Sequence, residues 1–74
     1  MTAAVKARQI GDIYVEMEMQ HRHGVWVYDV TLNKSYGICV YRTERKCTYP
    51  AEEKRKADNC FYRYCSIAKN EVRI

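Results

Sequence analysis

Between Asp12 and Gln20 the chain alternates. Ile13, Val15, Met17 and Met19 fall on one side and Tyr14, Glu16, Glu18 and Gln20 on the other. A period of two is the signature of a strand with one buried face. Gln20 to Gly24 reads as a polar turn, and Val25 to Leu32 as a second strand. In that strand the uncharged set Trp26, Tyr28, Val30 and Leu32 is expected to face the core. A short glycine-containing loop between two such runs predicts a hairpin. Asn33-Lys34-Ser35 reads as the next turn and Tyr36 to Thr43 as a third strand, with Ile38 and Val40 on one face and Cys39 and Tyr41 on the other.

The rhythm then changes. Pro50, Glu52 and Glu53 suit the first turn of a helix, where a missing N–H costs nothing and acids complement the dipole. Ala57, Cys60, Phe61, Tyr64, Cys65 and Ala68 follow at i, i+3, i+4 and i+7 spacing, which predicts an amphipathic helix from about Pro50 to Lys69. Asn70 is the expected stop. The expected fold is therefore α+β, a three-stranded antiparallel sheet with one C-terminal helix across it (β-β-β-α). Residues 1–10 read as a frayed lead-in and residues 71–74 as a tail. The second sheet face is expected to carry Tyr14, Glu16, Glu18, Val27, Cys39 and Tyr41.

The 74 residues, starting at Met1, read as one complete small domain. So short a chain buries only about 60% of the surface its unfolded form exposes, which leaves little room for a deep, water-excluding catalytic cavity. No G-x-S-x-G, H-E-x-x-H or phosphate-binding glycine loop is present. Glu16 and Glu18 share a strand face but read as solvated carboxylates rather than an acid/base pair. The expectation is a protein that is not an enzyme and holds no cofactor. No apolar run is long enough for a membrane span or a secretion signal, so a cytoplasmic place without membrane partners is expected.

Cys39, Cys47, Cys60 and Cys65 are spaced C-x7-C and C-x4-C. Only the second spacing nears that of zinc knuckles, and on a helix its two thiols diverge by about 140°. Reduced, structural cysteines are the expectation, with a disulfide or a metal as alternatives. His21 and His23 would share a strand face, but Gly24 marks them as a polar hairpin tip.

Net charge is +4. Arg42, Arg45 and Lys46 lie between strand and helix, and Lys54, Arg55 and Arg63 on the helix, with Tyr41 and Tyr62 among them. Bases interleaved with tyrosines suit a protein interface or a phosphate backbone. Glu44, Glu52, Glu53 and Asp58 interleave too, and that argues for a solvated face. By topology alone the β-β-β-α order resembles several small DNA-reading domains, such as the integrase arm-binding and plant AP2 types, and small phage proteins that inhibit host machinery. No residue role carries over from them. The expected function is a small binding protein, a phage-type or regulatory inhibitor or adaptor. It would act on a protein or protein–nucleic-acid machine through Tyr41, Arg42, Arg45, Lys46, Lys54, Arg55, Tyr62 and Arg63. The alternative is direct DNA or RNA binding. A homodimer is left open, because a small sheet has unpaired edges.

Overall fold

A computed structural model describes residues 2–38 and 40–72. The order is β1 (Thr2–Ile10), β2 (Ile13–Arg22), β3 (Val25–Gly37), β4 (Val40–Pro50), a 3₁₀ turn (Ala51–Glu53) and helix α1 (Lys54–Val72). The strands form one antiparallel sheet in the order β1-β2-β3-β4, with α1 against one face. The fold is α+β as expected, but the sheet has four strands rather than three. The likeness to β-β-β-α domains rested on that count and falls with it.

The additional strand is at the N-terminus, and the last turn lies later in the chain than expected. The expected lead-in is β1, paired along β2 from Thr2↔Gln20 to Ile10↔Ile13. Its alternation is hidden because Val5 is an extra residue between Ala4 and Lys6, and a bulge shifts every later side chain to the other face. The expected turn at Asn33-Lys34-Ser35 is instead the middle of a 13-residue strand. Asn33 works inside the ladder: its amide donates to the Tyr14 carbonyl at 3.1 Å, and it accepts from the Thr43 hydroxyl at 2.6 Å. The Ser35 N–H donates to the Asp12 carbonyl at 2.9 Å. The true reversal comes after Gly37. The basic segment Arg42–Lys46, expected as a hinge, lies within edge strand β4.

The two other turns follow rule. His23 and Gly24 both have positive φ, 52° and 79°, as a two-residue turn matching strand twist requires. Gly11 (φ +61°) is needed for space as well, since a Cβ there would lie 2.8 Å from Val72 Cγ1. The end of α1 is thus packed on the β1–β2 turn, and Val72, expected in a tail, is helical. Arg73 and Ile74, the rest of that tail, lie outside the described residues.

The core is the seam the two periods predict. Ile13, Val15, Met17, Tyr28, Val30 and Leu32 meet Ala57, Cys60, Phe61, Tyr64, Cys65 and Ala68, all buried. Trp26 is the exception, 40% exposed. The last rung between β3 and β4 is Val27↔Pro50, so Trp26 lies beyond the point where the chain leaves the sheet. It stacks on His21 instead, with ring centroids 4.9 Å apart.

Cys47 on β4 and Cys60 on α1 form a disulfide, where reduced cysteines were expected. Val30 and Cys47 are ladder partners, so the cross-link sits at the seam. Cys65 is free and buried, and burial raises its thiol pKa. Cys39 lies outside the described residues.

Candidate docking site

At about 1.5 Å per residue the 19-residue helix α1 spans roughly 28 Å, whereas the 13 residues of β3 at about 3.3 Å reach roughly 43 Å. The second figure matches the 42 Å long axis of the molecule. One helix therefore cannot cover the whole sheet. The ladder of β2 with β3 ends at Ile13↔Lys34, while β3 and β4 stay paired to Gly37↔Val40. The β3–β4 hairpin thus projects beyond the β1–β2 turn and beyond the end of α1.

Its tip is apolar. Among the described residues nine large apolar side chains are exposed, and Tyr36, Ile38, Val40 and Tyr41 account for four of them within six positions. Ile38 is 93% exposed, at a turn position that a polar residue would fill without cost. The tip is held in shape by its own stem. Register shifts leave Tyr36 as an extra residue in β3 and Glu44 as one in β4, and bulges re-aim side chains. The two bulge residues meet: the Tyr36 hydroxyl donates to Glu44 Oε1 at 2.8 Å. The Arg42 guanidinium lies 5.1 Å from the centre of the Tyr36 ring, a cation–π distance. The Glu44 carboxylate beside it raises the Tyr36 pKa. Lys34 and Arg42, ladder partners next to the tip, give the apolar cap a basic collar, while Arg45 and Lys46 lie further down the stem beyond Glu44.

The face of the sheet away from α1 carries Tyr14, Glu16, Glu18, Val27 and Tyr41, as the alternation predicts. The Tyr14 and Tyr41 rings lie 6.3 Å apart. The face is more acidic than the +4 total suggests, with Glu16, Glu18 and Asp29 on it. Asp29 is only 3% exposed, held in an ion pair by Arg22 and by the Thr48 hydroxyl, which donates to its Oδ1 at 2.7 Å. Glu18 is its ladder partner. Burial first, and the Glu18 charge next, raise the Glu16 pKa.

The residues expected to form one binding surface separate into four places. Tyr41, Arg42 and Lys46 belong to the hairpin and its stem, with Tyr41 on the open face. Arg45 and Arg63 gather near Tyr64, whose hydroxyl pKa is raised by burial and lowered by their charges. Lys54 and Tyr62 sit on the β1 side of the helix. There Lys6 pairs with Asp58 at 2.9 Å, Lys54 reaches Asp58 at 3.5 Å, and Lys6 donates to the Tyr62 hydroxyl at 3.2 Å. Arg55 is exposed in the first turn of α1. Tyr36, Ile38 and Val40 fall within the expected third strand and outside the expected site. The signal for them is the run Tyr-Gly-Ile-Cys-Val-Tyr, apolar residues on both sides of a turn glycine.

Among the described residues no group of three His, Cys, Asp or Glu side chains is placed to hold a metal, and no helix is long and apolar enough to cross a membrane. Comparison of the chain with family models, with curated proteins and with solved structures finds no match.

Proposed function

We propose that this chain is a small non-enzymatic binding protein, an inhibitor or adaptor that docks on a protein partner through the β3–β4 hairpin. The observation that carries the reading is the concentration of Tyr36, Ile38, Val40 and Tyr41 on one projecting end. Exposed apolar clusters rimmed by polar groups mark interaction sites, and tyrosine and arginine are the residues that interface cores favour. Tyr36, fixed between Arg42 and Glu44, loses little freedom on binding. The basic collar selects a partner whose apolar pocket has an acidic rim.

A partner other than a second copy is favoured by the sheet edges. Both β1 and β4 carry a bulge, at Val5 and Glu44, and β1 adds Lys6 and Arg8 while β4 adds Arg42, Arg45 and Lys46. Bulges and bases are the devices that stop edge strands from pairing with another copy. Direct nucleic-acid binding is disfavoured. A phosphate footprint clusters its bases on one face, whereas here they spread over four places and the open face carries Glu16, Glu18 and Asp29. The Cys47–Cys60 disulfide favours a setting oxidising enough to keep it closed, against the cytoplasmic one expected from the sequence.

The test places a photo-crosslinking amino acid at position 38 and, in a second variant, at position 59 on the exposed side of α1. The reading expects one acidic protein joined through position 38 only, identified by mass spectrometry and lost on Tyr41→Ala. Equal adducts from both positions, or adducts with nucleic acid, overturn it.

A further inference from the structure

At the root of the hairpin, on the open face, lies a depression of about 300 Å³ lined by Gln9, Tyr14, Glu16, Asn33 and Tyr41. Its walls are two tyrosine rings with centroids 6.3 Å apart, tilted by 56°. The Tyr14 hydroxyl points at Glu16 Oε2 at 3.5 Å. Glu16 and Glu18 enter no ion pair among the described residues. The one base paired on this face, Arg22, is committed to Asp29. Lys46 shares the cross-strand row of Glu16, but Thr31 on β3 stands between them. A protein of charge +4 thus keeps a carboxylate pair without a counter-ion beside two aromatic faces.

We propose that this depression receives one basic side chain, lysine or arginine, from the docked protein partner. Tyrosine faces attract organic cations through their quadrupole, and the Glu16 carboxylate supplies the opposite charge. The amide oxygen of Gln9, whose nitrogen donates to the Gly11 carbonyl, offers an acceptor for a remaining N–H donor. The site is too shallow and open to bury most of a free small molecule, as ligand pockets do, so its cation is one tethered to something bound alongside. Tyr41 belongs both to the depression and to the hairpin, which makes the two surfaces continuous. The inference rests on the docking reading. It adds an orientation to it: acid on the partner faces the hairpin collar, and base faces the open sheet.

The depression is tested without the partner. The ¹⁵N-labelled protein is titrated with the blocked tripeptides acetyl-Gly-Lys-Gly-amide and acetyl-Gly-Arg-Gly-amide, and with the neutral norleucine analogue, at low salt. The expected result is saturable shifts at Gln9, Tyr14, Glu16, Asn33 and Tyr41 with one or both cationic peptides. Dissociation constants should be in the millimolar range, roughly what a few weak contacts supply. Norleucine should bind at least about fivefold more weakly, and both Glu16→Gln and Tyr41→Ala should abolish saturation. Shifts linear to about 100 mM, or equal for norleucine, overturn the inference. Loss of crosslinking at position 38 with this titration intact would instead point to failure of the hairpin reading alone.

Discussion

Ile13 and Ile38 are the same side chain at opposite limits, 0% and 93% exposed. Ile13 begins β2, where the sheet lies under α1, and Ile38 caps the hairpin that runs past it. The body of the molecule uses its apolar residues to hold two layers together. The hairpin leaves a similar set exposed, with only Tyr41 beside Tyr14 of the body and Tyr36 held by Arg42 and Glu44 of its own stem. Length makes the difference: the extended β3 outruns the helix by roughly 15 Å, and whatever extends past the helix has no second layer. The body should therefore be sensitive to truncation and the hairpin indifferent to it.

The largest effect is expected in the seam. Phe61→Ala removes a buried ring between helix and sheet and should cost about 3–5 kcal/mol, read as a lower urea midpoint at constant slope. A cost below about 1 kcal/mol would mean that α1 is not the second layer. The cross-link comes next. Cys47 and Cys60 close a loop of sequence separation 13, and opening it should cost about 2–4 kcal/mol. Reductant should lower the unfolding midpoint of the wild type and leave that of Cys47→Ala unchanged; an unmoved wild type would show that β4 is not fastened to the helix.

Smaller effects follow from pH, with opposite signs on the two faces. Glu16, raised by burial and by Glu18, binds its proton more readily folded than unfolded. Its ionisation therefore costs stability, which returns as pH falls through its raised folded value. Asp58 is lowered, first by its bond to Lys6. It contributes stability above its unfolded value and loses it as pH falls through the folded one. Urea titrations between about pH 7 and pH 3 should show Glu16→Gln losing ground to wild type as pH drops, and Asp58→Asn gaining ground. Parallel curves would mean that neither carboxylate is perturbed.

The helix was legible in the sequence because its apolar stripe keeps one period over three turns: every residue from Ala57 to Ala68 assigned to the buried side is buried. The alternation of β2 was legible for the same reason, and the Tyr14–Glu16–Glu18–Tyr41 face came with it. What was lost sits at bulges. Val5 broke the rhythm of β1, and Tyr36 and Glu44 broke that of β3 and β4, so one strand vanished and a turn moved to Asn33. The candidate site suffered most, because the projection of a hairpin depends on the length of a helix that follows it in the chain. The bases of β4 read as a hinge, since an edge strand facing water on one side need not look apolar.

The central claim is that the hairpin tip contributes nothing to folding and is free for a partner. Chemical denaturation of Ile38→Asp tests it most directly. The account predicts a stability within about 0.5 kcal/mol of wild type, as for an exposed position, and amide spectra that change only near the tip. A loss of about 2 kcal/mol or more, with changes spreading into β2 and α1, would contradict it, because Ile38 would then be packed against the body.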